Sequence, residues 1–255
     1  MSRTGAWRTA IAGLGALAAG GCMASLAVQA DRALESGVDP GPVVAQLAGI
    51  HDAIDRTKRI FEVTLVEGGR RFRGEGALSY RATPRAARGD VYGPQSTPVL
   101  SFALFGDTLT VVLPREGEVL QGRLGDPRFA ELTGENALVT PEVLGALLGA
   151  YDVGAWVERA DRVAAATDDG RRTLYIWADG ALHALTAAGG RLIEYRQARG
   201  GDLVYRVEFE EFERVDGRAS PRRVVVRDFV RERWLVLEVT REHEEVPDAA
   251  FSTLP

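Results

Sequence analysis

The residues best suited to proton transfer or metal binding are three histidines, His51, His183 and His243. None sits at metal-ligand spacing with another ligand. His243-Glu244-Glu245 reads as a solvated charge run. Ser79, Ser96 and Ser101 lack a Gly-x-Ser-x-Gly elbow and have no histidine close by in sequence. Glu208, Glu210, Glu211 and Glu213 could form an acid–base pair in a cleft. Strand periodicity instead puts most of them on a wet face, where like charges discourage edge pairing. Gly13-Leu14-Gly15-Ala16-Leu17-Ala18 has the outline of a dinucleotide fingerprint, but no strand precedes it. The expectation is therefore a non-enzymatic protein with no metal and no cofactor. A net charge of −5 without a basic run also argues against nucleic acid as a partner.

The elements that hold the remaining residues are strands. Asp202–Phe212 alternates strictly, with Leu203, Tyr205, Val207 and Phe209 on one face and Val204, Arg206, Glu208 and Glu210 on the other. One apolar face and one charged face describe a strand of an antiparallel sheet covered on one side. Phe61, Val63 and Leu65 alternate in the same way, and so do Phe72, Leu78 and Tyr80. Val99–Phe105, Leu109–Leu113 and Glu118–Leu124 follow. After a helical interruption come Arg162–Ala166, Arg172–Trp177, Ala181–Thr186, Leu192–Gln197, Arg222–Phe229 and Trp234–Thr240. Asp-Gly and Gly-Gly pairs punctuate them. The pattern predicts a mainly β protein, a curved antiparallel sheet or half-open barrel of about eleven strands. The absence of βαβ alternation makes a doubly wound fold a poor fit.

Helices are expected at three places. Asp39-Pro40-Gly41-Pro42 opens one whose stripe is Val44, Leu47, Ile50 and Ile54, with His51 at its edge. Phe129–Leu132 reads as a short helical patch. Thr140-Pro141-Glu142 starts another, with Leu144, Leu147 and Leu148 apolar and Gly149 as its stop. Trp156 lies just beyond. This insertion is the natural candidate for a lid over the apolar face.

Near the N-terminus, Arg3 and Arg8 precede the apolar run Ala10–Ala19, which falls short of the ~20 residues of a spanning helix. Small residues and the single cysteine follow, as Ala19-Gly20-Gly21-Cys22. This order resembles the bacterial lipoprotein signal. The resemblance implies removal of residues 1–21, acylation of Cys22, and a membrane anchor through its lipid. Met23 stands where an aspartate often marks inner-membrane retention, which implies the periplasmic face of the outer membrane. Residues 22–40 then read as a tether and 41–255 as one half-barrel domain.

The order of these parts, with Tyr92-Gly93-Pro94 before Pro98-Val99-Leu100, then Thr140-Pro141-Glu142, Pro221-Arg222-Arg223 and a Pro247-Asp248…Phe251 tail, resembles the lipoprotein carrier and outer-membrane lipoprotein receptor superfamily, the Lol type. That resemblance implies an eleven-stranded half-barrel plugged by helices, with a concave face that takes acyl chains. Receptors of the family carry an apolar side chain at the loop tip where Gln95 stands here, so another lipid or protein partner is expected.

The candidate lipid-binding residues are Tyr80, Leu104, Val111, Tyr205, Val207, Phe209, Val226, Leu235 and Leu237 on the sheet, with Leu144, Leu147, Leu148 and Trp156 on the lid. The alternative for the same residues is plain core packing, in a module that binds an envelope protein instead.

Overall fold

Alternation along the chain becomes one antiparallel sheet. In the computed structural model, which describes residues 25–123 and 141–251, thirteen strands pair in a single ladder. The first run is β1 (Arg56–Glu67), β2 (Arg70–Arg81), β3 (Ala86–Tyr92), β4 (Pro98–Phe105), β5 (Thr108–Leu113) and β6 (Glu118–Arg123). The second is β7 (Arg162–Asp168), β8 (Arg171–Ala178), β9 (Ala181–Ala188), β10 (Arg191–Arg199), β11 (Asp202–Val215), β12 (Arg218–Asp228) and β13 (Arg233–His243). The half-open barrel class holds, and the strand count rises from about eleven to thirteen. β3 is the strand that composition conceals. Its Ala86-Ala87-Arg88-Gly89-Asp90 is poor in β-branched residues, yet it pairs fully with β2 and β4.

The two runs join in the middle. β1 pairs with β13, which leaves β6 and β7 as the two edges. With every neighbour antiparallel, an odd number of strands makes the two edges run in the same direction. β6 and β7 do not pair with each other, so the ladder stays open between them. The chain between β6 and β7 crosses from one edge to the other and carries the helices α3 (Pro141–Leu148) and α4 (Val153–Glu158).

Two helices precede the sheet. α1 (Leu26–Ser36) is capped by the Ser25 hydroxyl, which accepts from the Val28 N–H, and by Gly37 in the left-handed region. Leu26, Ala30 and Ala33 pack on the convex side against Ala164, Tyr175, Leu182, Ala184 and Ala198. This corrects the reading of residues 22–40 as a tether. Leu26–Ser36 is a docked helix whose stripe is built mainly from alanine and so does not stand out in sequence. α2 (Gly41–Asp52) buries Val43 and Leu47 on the opposite, concave side. Gly37–Pro40 carries the chain from one face to the other.

Pro221 lies inside β12 rather than in a turn. It stands opposite Phe212 of β11, and the β12–β13 ladder begins only at Arg223. The missing N–H therefore breaks no bond on the β13 side. Beyond the patch that α1 covers, the convex face is wet, as the alternation of β11 predicts. Glu194, Glu208 and Glu210 pair there with Arg196, Arg206, Arg227 and Arg223. The signal segment, Cys22, Phe129–Leu132 and Thr140 lie outside the described residues.

Candidate functional site: the concave face and its lid

The inner face of the sheet carries one large apolar cluster, and α3 is its roof. Val143, Leu144, Leu147 and Leu148 of α3 are buried in it together with Phe61, Leu78, Leu104, Val111, Val207 and Phe209. α3 stops at Gly149, whose φ of +71° favours glycine. A Cβ there would also lie 2.8 Å from Pro221 Cγ, so glycine lets the lid touch β12.

Few polar contacts secure the roof. Arg59 Nη1 donates to the Leu147 carbonyl at 2.6 Å, and Gln197 Nε2 donates to Glu142 Oε1 at 3.2 Å. Tyr151 Oη donates to the Glu142 carbonyl at 3.2 Å. Arg59 is itself fixed from below. Its Nε lies 3.2 Å from Glu242 Oε1, off-line for a hydrogen bond, and its Nη2 donates to Ser220 Oγ. Glu242 also accepts from Arg218 at 2.6 Å and from the Ser220 hydroxyl. Burial pushes the Glu242 carboxyl up, but the Arg59 charge, hydrogen bonds from Ser220 and Arg218, and the Arg218 charge pull harder. Its pKa falls to about 2.

Beside the lid lies an aromatic group. The Tyr151 and Tyr195 rings are 4.5 Å apart, Trp156 and His183 are 4.7 Å apart, and His183 Nδ1 shares a 2.9 Å hydrogen bond with Tyr195 Oη. Burial lowers the His183 pKa, and burial followed by the nearby Glu142 charge raises that of Tyr195 well above its usual value. The two rings pack against each other and against Tyr151 and Trp156.

Two small voids remain under the roof. One, of about 20 Å³, is lined by Phe61, Val63, Leu78, Phe102, Leu147 and Leu237 among others, with Asp90 its sole charged lining residue. The second, also about 20 Å³, lies toward the β12–β13 turn between Leu65, Tyr205, Val226, Asp228 and Arg233. Val143 and Leu235 line both. Each has room for about one water, so the interior is nearly filled in this conformation.

All thirteen candidate residues fall in this cluster or against it, with Trp156 and Tyr205 partly buried at its margin. Leu147, Leu235 and Leu237 line the first void, and Tyr205, Val226 and Leu235 the second. Tyr80, Leu104, Val111, Leu144, Leu148, Trp156, Val207 and Phe209 line neither and pack as core. Sequence reasoning left out Phe61, Val63, Val91, Leu100, Phe102 and Val143. The alternation of β1 and β4 could have found most of them.

No protein-family model and no curated protein matches the chain. Solved structures do. A LolA superfamily protein from Nitrosomonas europaea superposes with a TM-score of 0.59 at 13% identity, over 85% of this chain and 99% of that one. The fold is of the Lol type. A DUF1329 family protein from Desulfovibrio piger superposes with a TM-score of 0.62 at 14% identity, over 84% and 98% of the two chains. A putative outer membrane lipoprotein-sorting protein domain from Vibrio parahaemolyticus gives 0.59 at 12%, over 82% and 97%. At such identities the Lol-type likeness speaks to architecture.

Proposed function

We propose that this chain is a non-catalytic envelope lipoprotein, anchored through Cys22, whose concave face takes a lipid acyl chain beneath α3. The observation that carries this reading is the roof. It is buried in the concave cluster against β12, and its Val143 borders both voids. An acyl chain displacing α3 would exchange one apolar contact surface for another, at little cost in hydrophobic free energy. The Lol-type architecture supports the reading in kind. The thirteen residues named from sequence are its proposed lining. Native mass spectrometry after gentle extraction tests it. A bound mass in the range of a lipid supports it, while bare protein with no uptake of a fluorescent fatty acid contradicts it.

A second reading has its own support in how nearly filled the interior is. In it the same fold is an interaction module of an outer-membrane complex, and a stable co-purifying envelope protein without bound lipid would favour it.

A further inference from the structure

Among the described residues, seven large apolar side chains are exposed, and three of them fall within one six-residue stretch. Phe229 is 44%, Val230 68% and Trp234 57% exposed. They lie on and beside the turn between β12 and β13. The turn is held from within. Asp228 Oδ1 accepts the N–H groups of Val230 and Arg231 at 3.1 and 3.0 Å, and the Phe229 N–H donates to the Val204 carbonyl at 3.0 Å. Asp228 Oδ2 takes Arg231, Arg233 and the Tyr205 hydroxyl at 3.1–3.3 Å. A turn pinned by so many bonds presents its apolar side chains as a fixed surface.

Arginines outnumber carboxylates around it, with Arg227 paired to Glu208 and Arg231 and Arg233 to Asp228. The Arg227 guanidinium sits 5.7 Å from the Trp234 ring centre. Register places Trp234 beside Val66, and Val66 beside Arg71. Residues 66–71 and 227–234 hold five arginines against three carboxylates, in a chain whose net charge is −5. The same end of the barrel carries the polar Gln95 loop and the void lined by Tyr205 and Arg233. Tryptophan and phenylalanine with arginines around them suit the headgroup region of a negatively charged bilayer.

We propose that the β12–β13 turn, with Phe229, Val230 and Trp234 framed by Arg71, Arg227 and Arg231, is the surface by which this protein docks on an anionic phospholipid bilayer. It orients the end of the barrel that carries Tyr205 and Arg233 toward the lipid, in place of the Gln95 loop. The proposal goes beyond the acyl-binding reading and stands without it, because it concerns the outer tip and not the interior.

The test uses the full chain carrying Cys22→Ser, so that no acyl group tethers it. An environment-sensitive fluorophore is placed through Val230→Cys, or through Asp107→Cys at the opposite end as control. With vesicles containing phosphatidylglycerol, the label at position 230 should shift to the blue and the label at 107 should not. Vesicles of phosphatidylcholine alone should give a much smaller response, and Phe229→Ser with Trp234→Ser should weaken vesicle affinity by about tenfold or more. Thermal unfolding of that double variant checks that it folds, and fatty-acid uptake by it reads the interior separately. Equal responses at 107 and 230, equal responses to neutral and anionic vesicles, or loss of a self-association rather than of vesicle binding would overturn the proposal.

Discussion

Arg59 and Glu242 stand opposite one another as cross-strand partners on β1 and β13, both side chains sealed from solvent, with Nε 3.2 Å from Oε1. The pair sits on the seam that joins the two runs of strands, and Arg59 reaches from it to the Leu147 carbonyl of the lid. Seam and roof thus share one buried cation.

Removing one partner of such a pair is costly because the other charge keeps its burial and loses its compensation. Arg59→Ala should lower unfolding free energy by about 3–5 kcal/mol, less whatever Arg218 recovers by shifting toward Glu242. Urea denaturation measures this. A loss below about 1 kcal/mol would mean the pair behaves as an exposed one.

Acid should act at the same place. The Glu242 pKa is depressed in the fold to about 2, from an ordinary glutamate value of 4.5. A depressed carboxyl contributes stability that is complete above the unfolded value and disappears as pH falls through the folded one. The loss should therefore fall between pH 4.5 and about 2, and amount to roughly 3 kcal/mol. His183 adds in the same direction. Burial lowers its pKa, so its contribution is present above the ordinary histidine value of 6.5 and declines as pH drops below it. Chemical denaturation across this range should show a gentle decline followed by a steeper one. In Glu242→Gln the steeper part should flatten, and an unchanged profile would contradict the assignment.

Two glycines should respond in opposite senses. A Cβ on Gly89 would come within 2.1 Å of the Phe102 ring, which lies flat on β3. Gly89→Ala should cost about 1–3 kcal/mol through overpacking and disturb the first void. Gly49, exposed on α2, has nothing within 4 Å of its Cβ position. Gly49→Ala should stabilise by about 0.5–1 kcal/mol. Thermal melts of both variants check the contrast.

Much of this architecture is legible in the chain because strands announce themselves by period two. β11 shows Leu203, Tyr205, Val207 and Phe209 on one side, and the structure keeps the last three on the concave face, while a register shift against β10 turns Leu203 to the convex cluster under α1. The Pro141-Glu142 helix is equally plain, since proline favours the first turn. Features that depend on small residues are not. α1 docks through alanines, which carry little hydropathic contrast, and β3 pairs through alanine and glycine. The Arg59–Glu242 pair is invisible for a different reason. Period two sets Arg59 among the apolar residues of β1 but Glu242 on the wet face of β13 with Trp234 and Glu238, and only a register shift where β1 meets β13, across most of the chain, turns Glu242 inward to meet it. The size of the interior void is likewise set by side-chain packing, which no periodicity encodes.

The central claim is that an acyl chain enters beneath α3. Val143 borders both voids, so Val143→Trp should fill the space an acyl chain would use. The direct measurement is fluorescent fatty-acid titration of the parent chain and of Val143→Trp, with thermal unfolding to show that the variant folds. Saturable uptake by the parent is expected, with a weakening of about tenfold or more in the variant. Equal affinity in both, or no uptake by the parent chain, would contradict it.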